Sequence, residues 1–278
     1  GYYEAYEYAC RLAEEEGLLF VHPFDDPDVI AGQGTIALEL LEDNDEFDSV
    51  LVPVGGGGLI SGIAVAIKHL RPEVSVIGVE AEAMASMAAA LGGRELEARG
   101  RTIADGISVR RVGRFTREIA AKYVDKMVAV SDRAIAHAVQ LMLEIEKSLV
   151  EGAGAVGLAA LLHKAHEVPG ERSVLILSGG NMDITMLGRI IEKGLVADGR
   201  LTRLAVDVPD VPGGLAAVTT LISREKGNIR EVMHQRAFYD TPIGIARVEF
   251  IVETRSREHV QQIVDALARE GYEVEALS

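Results

Sequence analysis

The chain has 278 residues, enough for one large domain or two modest ones, since domains typically contain about 100–200 residues. Hydrophobic residues make up 48% of it and charged residues 26%, a balance that supports a buried core and excludes wholesale disorder. The 28 basic and 43 acidic residues give a net charge of −15, which disfavours binding to nucleic acid or to an anionic membrane surface. Small molecules are therefore the expected partners.

Cysteine content and the length of apolar runs exclude further classes of protein. The single cysteine, Cys10, excludes an intramolecular disulfide framework and predicts a reducing cytoplasm. The longest apolar run, 152–162, is shorter than the ~18 residues that a membrane-spanning helix needs. The first residues lack a signal-peptide pattern and fall directly inside a helical pattern, so we expect sequence upstream of Gly1.

From residue 17 to about 196, short β-branched or apolar runs alternate with longer segments of helical period, which predicts an α/β fold with a mostly parallel sheet. The segment 92–114 is rich in Gly and Arg and predicts a loop. The predicted strands are 18–22, 49–54, 74–79, 127–130 and 173–177. The predicted helices are 59–70, 132–147, 155–166 and 184–192.

The periodicity lapses at 193–200, which predicts a linker between a first domain, 1–196, and a second, 202–278. The second domain has the ferredoxin-like order βαββαβ. Its predicted elements are strand 202–208, helix 213–226, strand 229–237, strand 243–252, helix 257–270 and strand 273–277.

Four consecutive glycines, Gly55 to Gly58, lie between an apolar strand and an apolar helix. Successive backbone N–H groups without a Cβ, at the positive end of a helix dipole, suit a phosphate, although a flexible turn is the alternative. A Walker loop is disfavoured because no Lys-Ser or Lys-Thr follows. The dinucleotide pattern GxGxxG fails at Ile60 and Ser61, but Glu80, about 20 residues on, keeps a nicotinamide enzyme open as an alternative.

The last strand of the first domain ends in Ser178, Gly179, Gly180 and Asn181. Because the carboxyl ends of parallel strands line one crevice, we expect Ser178 to face the same cleft as the glycine loop. The alternative is a helix N-cap, a role that suits both Ser178 and Asn181.

Together, these two motifs resemble the threonine/serine dehydratases, which are fold-type II pyridoxal-phosphate enzymes with a sheet like that of the tryptophan synthase β subunit. Four further stretches match in order and spacing: HPFDDP at 22–27, VIAGQGT at 29–35, TIADG at 102–106 and VEGAGA at 150–155. The resemblance covers essentially the whole chain. It implies pyridoxal 5'-phosphate as cofactor, with the phosphate held by Gly55, Gly56, Gly57, Gly58 and Leu59 and the pyridine nitrogen contacted by Ser178.

The activity that the resemblance implies is dehydration and deamination of L-threonine to 2-oxobutanoate, and of L-serine to pyruvate, with release of ammonia. A serine at the ring nitrogen does not force that nitrogen to protonate, so the ring withdraws electrons less strongly than beside a carboxylate, which favours β-elimination. A serine racemase-like enzyme of the same fold type is one alternative. A non-catalytic amino-acid-binding regulatory protein is another.

The family carries its cofactor-binding lysine in a Ser-x-Lys-x-Arg segment, which none of the seven lysines of this chain matches. We therefore assign no catalytic residue, and the resemblance places that lysine upstream of residue 1. The 278 residues alone are expected to be inactive.

Two acids, Glu151 and Asp105, lie beside glycines in segments that resemble the family's pocket. Such a carboxylate relays protons or, more commonly, caps a helix or holds a loop. Glu80 resembles a residue that helps bind a cation in some relatives, but Met84 and Ser86 supply no carboxylate where further ligands would lie, so no metal is predicted.

His163 and His166 have the spacing to share a metal on one helix, but no acid or cysteine completes a ligand set, so a solvated helix end is the favoured interpretation.

The second domain contains Pro212-Gly213-Gly214 at the start of a predicted helix, followed by Asn228. This pattern resembles the first loop of ACT domains, which bind amino acids, and exposed helix N–H groups suit a carboxylate. The family's analogous regulation is by isoleucine or valine. The alternative is a purely structural dimerisation module, since such a sheet exposes edge strands. A homo-oligomer, dimer or tetramer, is expected.

Overall fold

The computed structural model describes residues 2–44, 46–94, 100–235 and 242–277. The chain divides into two compact units, Gly1–Met182 and Asp183–Ser278. Among the described residues, no helix combines the length and the apolar character needed to cross a membrane.

The first unit is an α/β structure around a parallel sheet, as the sequence predicts. The described sheet has four strands, one fewer than predicted, in the order β3-β2-β1-β4. Its strands are β1 Ser49–Pro53, β2 Ser75–Ala81, β3 Lys126–Val130 and β4 Ser173–Leu175. Its helices are α1 Tyr2–Glu16, α2 Pro27–Asp43, α3 Gly58–Leu70, α4 Ser86–Leu91, α5 Arg114–Tyr123, α6 Asp132–Leu141 and α7 Gly152–His163.

The core of this unit forms around β1 and α3. Every residue of β1 is buried, as expected for a strand with neighbours on both sides. Helix α3 buries Ile60, Ile63 and Ile67 completely, each worth about 1.5–3 kcal/mol relative to an exposed side chain. Helix α2 approaches α3 so closely that a side chain at Gly62 would overlap the carbonyl oxygen of Ile30.

The predicted strand 18–22 is wrong: these residues form no ladder with any described strand. They pack instead through an aromatic series, in which the Phe20 ring lies 5.5 Å from Tyr6 of α1 and 6.3 Å from His22. Leu19 is 90% exposed, so the apolar run 18–22 is only partly buried.

The predicted helix 132–147 is α-helical only to Leu141 and continues as a π-helical segment, Met142–Glu146. Lys147 ends it in a left-handed conformation, with φ of 59°. Within the predicted loop 92–114, the residues Asp105–Ile107 form a 3-10 turn, and 95–99 lie outside the described residues.

The second unit begins with α8 Ile184–Ala197, which runs five residues into the predicted linker 193–200. The βαββαβ order then follows as predicted, in an antiparallel sheet of order β6-β7-β5-β8. The bounds are β5 Leu201–Pro209, α9 Gly214–Arg224, β6 Asn228–Gln235, β7 Ile245–Glu253, α10 Arg257–Arg269 and β8 Glu273–Leu277. The last two residues of the predicted strand 229–237 lie outside the described residues.

Paired apolar side chains of β5 and β7 build the core of the second unit. Leu204 pairs with Phe250 and Val206 with Val248, and all four side chains are fully buried. Helices α9 and α10 contribute further apolar residues to the same cluster, among them Ile222 and Ile263.

Candidate cofactor site

The glycine loop and Ser178 leave the sheet at the same edge, from neighbouring strands. Leu51 of β1 pairs in parallel with Leu175 of β4, and the Ile176 N–H donates to the Leu51 carbonyl oxygen at 3.0 Å. The loop begins just beyond the carboxyl end of β1, and Ser178 lies just beyond that of β4. Neighbouring strands are about 4.8 Å apart, so the two segments start within reach of one small molecule.

The loop enters α3 without a side-chain cap. Gly57 precedes the helix in a left-handed conformation, with φ of 98°, and no side chain accepts from the first helical N–H groups. Among the described residues, the first N–H of this stretch with a backbone acceptor is that of Ser61, bonded to the Gly57 carbonyl oxygen at 3.0 Å. The N–H groups of residues 55–60, including that of Leu59 in the first turn, are thus available to an anion.

Close packing supplies a second reason for the glycines. A side chain at Gly56 would overlap the Phe24 ring, and a Cβ on Gly58 would lie 3.0 Å from the Phe24 Cα. A Cβ on Gly55 would lie 2.9 Å from the Ile107 Cα. Glycine identity therefore reflects the crowded surroundings of the loop, and the N–H groups without intrachain acceptors are the feature that fits a phosphate.

Thr116 of α5 anchors the loop. Its hydroxyl donates to the Gly56 carbonyl oxygen at 2.7 Å, and the Gly113 N–H approaches the same oxygen at 3.4 Å. Thr116 is fully buried, so this hydrogen bond is shielded from water.

Asp25 holds the start of α5 in place. Its carboxylate accepts from the N–H groups of Arg114 at 2.9 Å and Phe115 at 2.8 Å, and from that of Thr116 at 3.2 Å. The Asp25 N–H in turn donates to Nδ1 of His22 at 2.8 Å. The sequence pattern places His22 and Asp25 in a family-like stretch but does not reveal this role; a helix start at Gly113-Arg114 without a local capping side chain is the available signal.

Glu151 lies between two segments of the same edge. Its N–H donates to the Gly179 carbonyl oxygen at 3.1 Å, and a side chain at Gly179 would overlap its carboxylate. A Cβ added to Gly106, in the 3-10 turn, would lie 3.2 Å from Oε1 of Glu151. Although Glu151 precedes α7, its side chain makes no capping hydrogen bond. Asp105, the other predicted acid, is exposed.

Neither Ser178 nor Asn181 caps the helix that follows them. The N-cap of α8 is Asp183, whose side chain accepts from the Met186 N–H at 2.9 Å. Ser178 is exposed at the sheet edge, where its hydroxyl is accessible to a ligand.

Glu80, the third acid singled out from the sequence, is 1% exposed. Its two oxygens accept from the N–H groups of Met87 at 2.7 Å and Ala88 at 3.0 Å, which satisfies the start of α4. Burial raises the pKa of this carboxyl to about 7, against the opposing effect of these hydrogen bonds. The Ser86 hydroxyl donates to the Val109 carbonyl oxygen, and Met84 is buried.

Comparisons with known proteins agree with the two-part organisation. The model of the pyridoxal-phosphate dependent enzyme family matches residues 1–179, and the ACT domain model matches residues 202–271. An L-threonine ammonia-lyase of Thermotoga maritima is 49% identical over 273 residues, which cover 98% of this chain and 68% of the relative. A protein of the same name from Geobacter sulfurreducens is 45% identical over 276 residues, which cover 99% of this chain and 69% of the relative.

Solved structures of similar fold include the T.th. threonine deaminase, with a TM-score of 0.60 and 44% identity, covering 63% of this chain and 66% of that one. Maize serine racemase has a TM-score of 0.61 and 36% identity, covering 69% of this chain and 60% of that one. The chain thus spans about two-thirds of the length of the relatives it matches. It belongs to the family of pyridoxal-phosphate-dependent enzymes, and an ACT domain follows its catalytic region.

Proposed function

We propose that this chain is part of an enzyme that dehydrates and deaminates L-threonine to 2-oxobutanoate and ammonia, with L-serine as a second substrate that gives pyruvate. The observation that carries the proposal is the shared sheet edge of the Gly55–Gly58 loop and Ser178, on neighbouring parallel strands. The names of the 49% and 45% identical relatives support the choice of threonine.

The residues at this edge fit the cofactor. The N–H groups of residues 55–59 would hold its phosphate, since they have no acceptor among the described residues. The Ser178 hydroxyl would hydrogen-bond the ring nitrogen. When bound, the cofactor withdraws electrons from the amino acid and weakens the bond to its α-proton. A neutral hydroxyl stabilises a charged ring nitrogen less than a carboxylate would, which favours β-elimination.

Glu151 has two roles in this proposal. Its N–H fixes the Gly179 carbonyl, and thereby the segment that carries Ser178. Its carboxylate, which fills the space that a side chain at Gly179 would need, holds or moves a proton at the edge of the cofactor site.

The cofactor-binding lysine is not assigned to any of the seven lysines of this chain. Lys68 donates to the Val74 carbonyl oxygen at 2.8 Å, and Lys126 lies 3.1 Å from Glu167, both away from the glycine loop in sequence and in their contacts. We therefore expect no turnover from the 278 residues alone, and activity from the full-length protein in which a Ser-x-Lys-x-Arg segment is present.

The test is an assay of the full-length protein reconstituted with pyridoxal phosphate. Formation of 2-oxobutanoate from L-threonine, with pyruvate formed from L-serine and no D-serine accumulation, is the expected result. D-serine as the main product would favour the racemase alternative. Absence of a cofactor absorption band at ~410 nm in the reconstituted protein would contradict the enzyme proposal altogether.

In the ACT domain, the start of α9 borders a cavity of about 730 Å³ whose lining includes Val211, Leu215, Thr219 and His234. Gly213 precedes α9 with φ of 92°, and no side chain caps the helix. An amino-acid carboxylate suits these N–H groups and an apolar side chain suits the valine and leucine, so an allosteric effector such as isoleucine or valine is proposed here.

Calorimetry with isoleucine and valine tests this effector site in the full-length enzyme. Thr219→Phe, which fills the cavity, is expected to weaken binding at least tenfold. Thr220→Phe, on the neighbouring exposed position outside the lining, is the matched control and should bind normally. Equal affinities of the two variants, or no binding to the unmodified enzyme, would contradict the site.

We also propose that the enzyme is a homo-oligomer, dimer or tetramer, in a reducing cytoplasm. The edge strands β6 and β8 of the ACT sheet each have a side without a partner among the described strands, which supports pairing between copies. The single cysteine, Cys10, supports the compartment. Light scattering of the full-length protein measures the oligomer, and a monomer would contradict it.

A further inference from the structure

Two histidines from neighbouring helices meet at the surface of the first unit. Nδ1 of His137, on α6, lies 3.1 Å from Nε2 of His163, the last residue of α7. The ring centroids are 5.3 Å apart, and the ring planes are inclined at 66°. We propose that this pair is a chelating site for a divalent transition-metal ion of the Zn²⁺, Ni²⁺ and Cu²⁺ class, distinct from the cofactor site.

The distance between the two nitrogens fits a shared ion. With metal–nitrogen bonds of about 2.0–2.1 Å, two ligand nitrogens lie about 2.9 Å apart at a right angle and about 3.4 Å apart at the tetrahedral angle. The observed 3.1 Å falls between these limits. Binding therefore requires the two rings to turn so that both lone pairs converge on one point beside the line between the nitrogens.

The chemistry of the donors selects the class of ion. Neutral imidazole is a ligand for Zn²⁺, Cu²⁺ and Ni²⁺, whereas Mg²⁺ and Ca²⁺ prefer carboxylate and carbonyl oxygens.

Water must complete the coordination. Within the described ranges, no group of three or more His, Cys, Asp or Glu side chains converges to hold an ion. His163 is exposed, and His137 is partly exposed, so the ion would exchange with solvent. The site is thus expected to bind reversibly and in the Irving–Williams order, with Cu²⁺ tightest.

In the structure, His163 lies beside His137 and not beside His166, the neighbour that the sequence spacing suggests. His166 is three residues from His163, but its Nε2 lies 4.0 Å from the Glu167 carboxylate, beyond the end of α7. The proposed pair instead joins α6 to α7. An ion bound there would link the two helices. It would stabilise the folded state, because the unfolded chain does not hold the two histidines together.

Titration with Ni²⁺ alone tests the site, using holoenzyme freed of unbound cofactor, because free cofactor and amino acids also bind metals. Calorimetry should show one Ni²⁺ per chain. His137→Gln and His163→Gln are each expected to weaken binding at least tenfold, whereas His166→Gln and His69→Gln should stay within threefold of the unmodified protein. Thermal unfolding in EDTA checks that all four variants are folded.

Electron paramagnetic resonance of the Cu²⁺ complex supplies an independent readout, with two imidazole nitrogens expected in the unmodified protein and one in His137→Gln. The proposal is overturned by the absence of saturable Ni²⁺ binding, by equal binding in folded His137→Gln, or by a loss of binding in His166→Gln that His137→Gln does not share.

Discussion

The Thr116 hydroxyl donates a 2.7 Å hydrogen bond to the Gly56 carbonyl oxygen, which ties the glycine loop to the start of α5. Asp25 fixes that helix start through three backbone N–H groups, and His22 accepts from the Asp25 N–H. The loop's conformation thus depends on residues that are remote in sequence. A prearranged set of N–H groups binds a phosphate more tightly than a set that must be ordered on binding.

Thr116→Val should therefore lower both the free energy of unfolding and the affinity for the cofactor. The substitution keeps the shape of the side chain but leaves the Gly56 carbonyl with only the 3.4 Å contact from Gly113, so unfolding should become easier by about 1–3 kcal/mol. Cofactor affinity should fall several-fold. Urea unfolding and a fluorescence titration with pyridoxal phosphate measure the two effects.

Thr220→Val is the matched control for that experiment. Thr220 also donates its hydroxyl to a backbone carbonyl, that of Ala216 at 2.7 Å, but in a solvent-exposed position of α9. Its stability should change by less than about 0.5 kcal/mol, with no change in cofactor affinity. Equal effects of the two threonine variants on cofactor affinity would contradict the anchoring role of Thr116.

Gly57→Ala is expected to disrupt the loop itself. The left-handed backbone, with φ of 98°, costs about 1–2 kcal/mol for a residue with a Cβ, and the new methyl would approach Thr116 within 2.8 Å. Cofactor affinity of the holoenzyme should fall at least tenfold. Gly188→Ala, in the open middle of α8, should instead stabilise by about 0.5–1 kcal/mol and bind cofactor normally, since no atom lies within 4 Å of its added Cβ.

Glu80 should make stability depend on pH. Its folded pKa, about 7, exceeds its ordinary value of 4.5, so the folded state binds the proton more tightly than the unfolded state. The stabilising contribution is complete below pH about 4.5 and is lost as pH rises through about 7, a change of up to about 3 kcal/mol. Glu80→Gln should remove this slope.

The measurement for Glu80 is the difference in unfolding free energy between the unmodified protein and Glu80→Gln across pH 4.5 to 8, because other titrating groups cancel. A difference that stays flat across this range would show that burial does not perturb the Glu80 carboxyl as described.

In the full-length enzyme, Ser178→Ala should lower kcat without lowering stability, because the exposed hydroxyl caps no helix. Ser178→Asp should favour a protonated ring nitrogen and increase side reactions relative to elimination. Asn181→Ala is the control, and should retain kcat. Product analysis with L-threonine checks all three, and an unchanged kcat in Ser178→Ala would contradict a contact between this hydroxyl and the cofactor.

Periodicity and glycine placement allow most of the architecture to be predicted from the sequence. The parallel sheet and the βαββαβ order are predicted correctly because buried strands and amphipathic helices leave distinct local patterns. The strand prediction for 18–22 is wrong because its apolar residues pack against aromatic rings rather than a strand. No local sequence pattern distinguishes an apolar run that packs against aromatic rings from one that pairs with a strand.

The residues that hold the cofactor site in place are harder to predict from the sequence than the motifs that form it. Asp25 caps a helix that starts almost ninety residues later, and the Glu151 N–H bonds the Gly179 carbonyl of another segment, so both roles depend on tertiary contacts. The pairing of His163 with His137, rather than with His166, likewise follows from the packing of α6 on α7. Sequence spacing reports only neighbours on one helix.

The central claim is that the N–H groups of the glycine loop and the Ser178 hydroxyl bind opposite ends of one cofactor. A crystal structure of the full-length enzyme with pyridoxal phosphate tests it most directly. We expect the phosphate oxygens within about 2.7–3.2 Å of the N–H nitrogens of residues 55–59 and the ring nitrogen within about 2.5–3.2 Å of Ser178 Oγ. A phosphate bound elsewhere, or a ring nitrogen without contact to Ser178, would contradict the account.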